Sequence, residues 1–305
     1  EHDSSFKQQD GVKFSARDVA IKMAQDRKIP IIVASATPSL KMLHLANKGK
    51  YKFVSIPKRV NDMDPPKFSI LNSHFLDRSS GIDSNLIPLI HKTISKNKKV
   101  LIFINRRGYS PVFKCEDCNW NALCNSCNSR LVHHKAIGRL KCHRCETSFG
   151  VPSRCPECKS NKLHSHGVGT QKIESFLGEE FPNVPIVRLD LDSTRKKGSL
   201  EKLLLEINEN KKALLIGTQM IAKGHDFSDV ELGIVIDADL GLISHELNAV
   251  EKLSQLLIQV TGRVGRSGKS KIIVQSDLLD NEYLNILSNG DYLSFSKFLL
   301  EECEA

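Results

Sequence analysis

The chain of 305 residues is expected to fold as an α/β protein with a parallel sheet, interrupted by a cysteine-rich module that binds two zinc ions. Two observations lead there. Short, continuously apolar, β-branched runs alternate with helix-patterned segments, and eight of the nine cysteines crowd between Cys115 and Cys158. A strand buried on both faces reads as an unbroken apolar run, and a helix between two such strands returns the chain to the same end of a parallel sheet.

Taken in order, Ile29–Ala34 reads as the first strand. Ser55–Ile82, rich in Pro, Asp, Asn and Ser, reads as a connecting segment, with Ser69–Leu71 a candidate short strand. Ser84–Lys96 carries a helical pattern and leads into the apolar run Val100–Ile104. Beyond the cysteines, helical patterns over Gly169–Glu180, Ser199–Asn208 and Ala249–Gly262 alternate with strands at Ile186–Leu189, Ala213–Ile216, Leu232–Ile236 and Ile272–Gln275. The cysteine module falls between Ile104 and Gly169, so it is an insertion into the α/β domain rather than a terminal domain.

The cysteines form four Cys-x-x-Cys pairs: Cys115/Cys118, Cys124/Cys127, Cys142/Cys145 and Cys155/Cys158. Such a knuckle sets two sulfurs on one side of a tight turn, and two knuckles complete a tetrahedral ZnS4 site. Disulfides are the alternative, but a chain without a secretory signal belongs in a reducing compartment, where this pattern reads as metal binding. Five residues separate the first two pairs, too few for opposed knuckles, whereas 14 separate the second and third, close to the spacing of zinc ribbons. An inner site from Cys124, Cys127, Cys142 and Cys145 therefore nests within an outer one from Cys115, Cys118, Cys155 and Cys158. The crossed pairing, first with third and second with fourth, stays open. All-thiolate sites are structural rather than catalytic, and His133, His134 and His143 read as surface residues. Trp120, the single tryptophan, serves either a knuckle or a stacked base. Cys303 reads as an ordinary free thiol.

Composition excludes several classes. Gly 18 and Pro 11 make less than a tenth of the chain, so it is neither collagenous nor low-complexity. No apolar run approaches the roughly 18 residues of a membrane span, and no basic stretch followed by an apolar core opens the chain. A cytoplasmic protein is expected, and the first residue, Glu rather than Met, need not be a natural start. The formal charge of +9 suggests an anionic partner only weakly, since eight thiolates and two Zn2+ would bring it to about +5.

Ligands of open α/β sheets bind at the carboxyl ends of strands. There the sequence places Ser35–Ser39, Asn105–Tyr109, Gly217–Asp226 and Asp237–Asp239, while Gln259–Arg266 closes a helix. Small residues, hydroxyls and paired arginines at such positions suit phosphate contacts.

This order of motifs resembles superfamily 2 helicases, and more closely the bacterial replication-restart helicase family, PriA (primosomal protein N-prime). The matches are Glu1–Gln9, Ser35–Ser39, Phe103–Tyr109, the eight-cysteine insertion, Gly217–Phe227 and Gln259–Arg266, and the likeness runs through nearly all of 1–276. The resemblance implies two RecA-like lobes: the end of lobe 1 at 1–54, a linker at 55–83, lobe 2 at 84–276 with the zinc insertion at 112–166, and the start of a C-terminal domain at 277–305. It implies the nested zinc pairing as well.

It also implies roles. Glu1 and His2 match the end of an Asp-Glu-Glu-His block, with His2 coupling ATP state to DNA. Ser35 and Thr37 match a block linking hydrolysis to movement. Arg263 and Arg266 would reach the γ-phosphate, with Gly224, Asp226 and Gln259 also on the ATP side. Arg106, Thr218 and Gln219 would lie along DNA. The segment 4–18 matches a loop that senses single-stranded DNA, here with Phe6, Lys7, Phe14 and Arg17; core packing is the alternative for either phenylalanine. The family further implies 3′-to-5′ unwinding at stalled forks, ATP with Mg2+ in the complete protein, and primosome proteins and single-strand-binding protein as partners.

A helicase needs a Gly-x-x-x-x-Gly-Lys-Ser/Thr loop. Gly268-Lys269-Ser270 fails the pattern, because Arg263 stands where the first glycine belongs. The chain is therefore expected to be an incomplete motor, inactive by itself as an ATPase. The alternative reading is a zinc-folded module that contacts DNA or protein without catalysis.

Overall fold

The computed structural model describes residues 6–8, 14–56, 67–73, 78–105, 112–118, 120–126, 131–134, 138–142, 145, 147–166, 170–190, 193–194, 198–218, 221, 227, 229–242, 248–264, 270–278 and 281–304. Six strands build its centre: β3 (Ser69–Asn72), β6 (Lys99–Ile104), β12 (Ile186–Leu189), β13 (Leu214–Gly217), β14 (Val230–Ile236) and β15 (Lys271–Ser276). They lie in the order β12-β13-β6-β14-β15-β3, and every adjacent pair is parallel.

Alternation along β6 explains the layers. Leu101 and Phe103 enter one apolar cluster, together with side chains of α5 (Ser199–Glu209), α7 (Ala249–Val264), α8 (Glu282–Ser288) and α9 (Tyr292–Glu304). Val100, Ile102 and Ile104 enter the other, with α3 (Leu86–Ser95) and α4 (Thr170–Glu180). All six residues of β6 are buried, as expected for a central strand covered on both faces.

Gly217 ends β13 at a point of close approach. A methyl group there would stand 2.5 Å from the Leu189 carbonyl oxygen and would overlap Ile221 Cδ1. Because one obstacle is backbone, Gly217→Ala is expected to destabilise the lobe by about 1–3 kcal/mol, read as a lower denaturant midpoint at unchanged slope.

Preceding the sheet are a hairpin, β1 (Lys7–Gln8) with β2 (Phe14–Ser15), and two helices, α1 (Ala16–Arg27) and α2 (Leu40–Asn47). Ser15 caps α1 by accepting from the Asp18 amide at 3.3 Å. The expected strand Ile29–Ala34 is not one. Its backbone is irregular, and Ile29, Ile31 and Ile32 are exposed, Ile32 to 92%. Apolar, β-branched residues favour a strand only where neighbours complete the ladder, and among the described residues no strand lies beside this run. The segment read as a linker does supply a strand: β3 pairs with β15, Phe68 is buried beside it, and the hairpin β4 (Arg78–Ser79) with β5 (Ile82–Asp83) follows. Buried Gln275 joins that hairpin to the sheet, donating to the Gly81 carbonyl at 3.0 Å and accepting from the Asp83 amide at 2.8 Å.

The cysteine module is an antiparallel sheet of its own, ordered β10-β9-β8-β7-β11, from β7 (Val112–Cys115), β8 (Leu131–His134), β9 (Arg139–Cys142), β10 (Ser148–Gly150) and β11 (Leu163–His166). A short α6 (Asp239–Leu242) follows β14; its Asp239 accepts hydrogen bonds from the Ser276 hydroxyl and, at 3.0 Å, from the Asp277 amide.

Candidate functional site

Two chemistries are built on this frame. The first is in the module. Pairing of β7 with β11 sets Leu163 opposite Cys115, which brings the turn after β7 against the turn preceding β11. Each turn is closed by its own backbone: the Cys115 amide donates to the Trp120 carbonyl at 2.8 Å, and the Cys155 amide to the Ser160 carbonyl at 2.7 Å. The ligand atoms of Cys115, Cys118, Cys155 and Cys158 consequently all lie within 4.8 Å of one another. Cys115 is 3.5 Å from Cys158, and Cys118 is 3.5 Å from Cys155. A disulfide would bring sulfurs to about 2.05 Å, whereas tetrahedral bonds of about 2.3 Å to zinc leave sulfurs about 3.8 Å apart. Cys124, Cys142 and Cys145 form a second group within 4.8 Å, with Cys124 3.5 Å from Cys145; Cys127 lies outside the described residues. Both groups follow the nested grouping, and neither mixes cysteines of the two.

The electrostatics match that arrangement. The Thr147 hydroxyl and amide draw the Cys145 thiol down to about 6. At Cys115 desolvation pushes upward, but the amides of Cys118 and Asp117 outweigh it and bring the thiol to about 7. Cys118 is pushed up, because desolvation and three neighbouring sulfurs overcome the Trp120 amide. Thiols that cannot all ionise together are what a divalent cation relieves.

The second chemistry lies at the carboxyl ends of the parallel strands. The strand order reverses direction around β6, since the chain passes from β6 to β12, back to β13, and then across to β14. That is where open α/β sheets bind ligands. Asn105, buried at the end of β6, donates its amide to the Ile236 carbonyl at 3.2 Å and its side chain to the Asp237 carbonyl at 3.5 Å. Thr218 follows β13, its amide donating to the Leu189 carbonyl at 3.4 Å.

From the other side, the Ser35–Ser39 loop docks on α7. Thr37 is fully buried; its hydroxyl accepts from Gln259 Nε2 at 3.3 Å and its carbonyl from Gln255 Nε2 at 3.4 Å. Arg263 stands one turn beyond Gln259, in the last turn of α7. The structure thus brings Thr37, Gln259 and Arg263 to one helix. His2, Glu1, Arg106, Gln219, Gly224, Asp226 and Arg266 lie outside the described residues.

Phe6 and Phe14 are exposed, to 46% and 45%, with Lys7 exposed on the same hairpin. Arg17 is placed differently from a free phosphate contact. Its side chain is 9% exposed, with Nε donating to Asp18 at 2.8 Å and NH1 to the Ser39 hydroxyl at 3.2 Å. Burial pushes the Asp18 carboxyl upward, but Arg17 and Lys41 hold it below its ordinary value.

Sequence reasoning passed over three groups. Glu251 and Tyr292 both reach the Ser35–Ser39 region: Glu251 Oε1 accepts from the Leu40 amide at 2.9 Å, and the Tyr292 hydroxyl donates to the Pro38 carbonyl at 2.9 Å. Glu251, Gln255 and Gln259 recur every fourth residue, a polar stripe along one face of α7, which was a legible signal. Asp190, beyond β12, accepts from the Thr170 hydroxyl at 2.7 Å and the Ser193 amide at 2.8 Å. Burial raises its pKa, but these donors and Arg188 outweigh burial and hold it low.

Comparison with known proteins agrees with this geometry. Residues 165–268 match the helicase conserved C-terminal domain, and the parallel lobe has the RecA-like fold of that domain. Replication restart protein PriA of Haemophilus influenzae is 37% identical over 302 residues, which is 99% of this chain and 41% of that protein. The protein of the same name from Bacillus subtilis is 38% identical, covering 97% of this chain and 37% of its own length. The chain thus spans about two fifths of the curated relatives it matches. A solved structure of S. cerevisiae Dbp5 bound to RNA and ADP BeF3 covers 95% of this chain and 54% of its own at 16% identity, with a TM-score of 0.46. Over nearly its whole length, then, the chain is a sequence relative of the replication restart proteins PriA, and residues 165–268 of it match a helicase C-terminal domain.

Proposed function

We propose that the chain is the carboxyl-side motor portion of an ATP-dependent, zinc-containing DNA helicase that acts in replication restart, unwinding 3′ to 5′ at stalled forks. The observation that carries the reading is the docking of the Ser35–Ser39 loop on α7, with Thr37 bonded to Gln259 and Arg263 one turn further on. Residues 1–54 form the end of lobe 1, 84–276 lobe 2, and 277–305 the start of a C-terminal domain.

Arg263 and Arg266 face the γ-phosphate, where an arginine stabilises charge on the transferring group. Gly224, Asp226 and Gln259 line the nucleotide side. ATP with Mg2+ supplies the phosphoryl transfer when bound; His2, Thr37 and Gln259 relay its state. Phe6, Lys7, Phe14, Arg106, Thr218 and Gln219 meet single-stranded DNA, the phenylalanines by stacking and the cations by phosphate contact. Two Zn2+ are structural, one held by Cys115, Cys118, Cys155 and Cys158, the other by Cys124, Cys127, Cys142 and Cys145. Primosome proteins and single-strand-binding protein are the partners, in the cytoplasm; no helix among the described residues is long and apolar enough to cross a membrane.

The test is DNA-dependent ATP hydrolysis and fork unwinding by the whole gene product, beside the chain of 305 residues alone. Turnover is expected from the first and none from the second, which carries no phosphate-binding loop. A whole product without DNA-stimulated turnover would overturn the motor reading, and turnover by the chain alone would overturn the proposed dependence.

A further inference from the structure

The Ser35–Ser39 loop is gripped largely through its backbone. From α7, Gln255 takes the Thr37 carbonyl and Glu251 takes the Leu40 amide; from α9, Tyr292 takes the Pro38 carbonyl. Three backbone groups of one segment, at Thr37, Pro38 and Leu40, are therefore held by two helices that lie more than 200 residues further along the chain. Bonds to backbone atoms read where a loop is, independent of its side chains.

Glu251 has a specific task. The first turn of a helix has amides without partners inside the helix, usually met by the residue at the cap. At α2 that residue, Ser39, makes no side-chain capping bond; its hydroxyl accepts from Arg17. The carboxylate of Glu251, 211 positions away in the chain, takes the Leu40 amide instead. Its negative charge also suits the positive amino end of the helix. Gln255 donates to the same carboxylate oxygen at 3.4 Å, so cap and loop contact are joined. Tyr292 is 5% exposed, and its ring packs near Phe295 with centroids 6.5 Å apart. This fixes the direction of its hydroxyl.

We infer that Glu251, supported by Gln255 and Tyr292, is a positioning residue: it caps α2 across the lobe boundary and sets where the Ser35–Ser39 loop stands relative to Gln259 and Arg263. This deepens the motor reading and rests on it. Glu251 acts through the loop, so its loss changes how tightly hydrolysis is coupled to movement and leaves nucleotide affinity alone.

Amide hydrogen exchange on the 305-residue chain reads the clasp without any activity. In Glu251→Ala the Leu40 amide should exchange about tenfold faster, the worth of one charge-assisted hydrogen bond, while β6 and β14 amides keep their protection. Glu251→Gln, which keeps an acceptor oxygen, should retain most of it. Tyr292→Phe serves as the second variant if Glu251→Ala does not fold, and should loosen the amides that follow Pro38.

In the whole gene product, Glu251→Ala should raise the ATP consumed per base pair unwound several-fold at unchanged KM for ATP, and Glu251→Gln should restore the ratio. Unchanged Leu40 exchange in a folded Glu251→Ala would overturn the cap. A freed Leu40 with unchanged coupling would overturn the positioning role. A whole product without DNA-dependent turnover would overturn the motor reading instead, with Leu40 exchange still reporting on the cap.

Discussion

Stripping zinc with a chelator, or replacing Cys155 with serine, is expected to unfold residues 112–166 while the six-stranded sheet stays folded. The module's apolar core is small: Phe113, Ala122, Leu131 and Leu140 are buried with Cys124 and Cys142, flanked by the half-buried Trp120, Phe149, Val151 and Leu163. A unit of this size has too little core to stand alone. Metal binding supplies on the order of 10 kcal/mol to such domains, far more than that core can offset when the metal leaves. The parallel lobe does not share the dependence, because the two sheets have no strand in common and its apolar clusters contain no cysteine. Metal analysis should find about two zinc ions per chain. Hydrogen exchange should then show β8 and β9 losing protection on chelation while β6 and β14 keep it. A chelated chain with β8 and β9 still protected would sink the structural role of the metals.

Changing Arg263 to alanine in the whole gene product is expected to slow DNA-stimulated ATP hydrolysis by about 10³–10⁵-fold, the span seen when a charge-stabilising arginine is lost from phosphoryl-transfer sites. The helix that carries it is firmly seated. Leu253, Leu257, Val260 and Val264 are buried in the core on one side, so Arg263 projects from a rigid support rather than a loop. On the proposed role at the γ-phosphate, kcat should fall while DNA affinity holds. Arg263→Lys should rescue little, since an ammonium cannot reproduce the planar fork of a guanidinium. Near-normal turnover by Arg263→Ala would remove the arginine from the chemistry.

The strands that were legible in the sequence are those whose residues are apolar on both faces. Val100–Ile104 falls inside β6, and the runs at Leu232 and Ile272 coincide with β14 and β15 to within two residues, because a central parallel strand needs such a run; Ile186–Leu189 coincides with β12, an edge strand in which half-buried and buried residues alternate. Ile29–Ala34 carries the same composition and is not a strand, since a ladder requires a neighbour and composition cannot supply one. The cysteine knuckles were legible because metal geometry is written in local spacing. The cap of α2 by Glu251 was not, because it depends on how two distant segments dock. Asp190 was hidden for a related reason: a lone acid after a strand carries no motif, and its partners, the donors Thr170 and Ser193 and the nearby Arg188 charge, come from separate segments.

The position of the zinc module bears on how the lobe reaches its fold. It lies within a single crossover, between the end of β6 at Ile104 and the start of α4 at Thr170, and α4 cannot join α3 over that face of β6 until the crossover closes. An unstructured connection of this length would impose a closure entropy that grows with the logarithm of its length. Pairing of β7 with β11 puts Val112 opposite His166, so the folded module begins and ends at one place. The connection then behaves as a loop of roughly a dozen residues, worth about 1.5 kcal/mol less in closure entropy than the open chain. On the proposed zinc binding, metal taken up early in folding shortens the path to the parallel lobe, and metal starvation should slow its refolding as well as unfold the module.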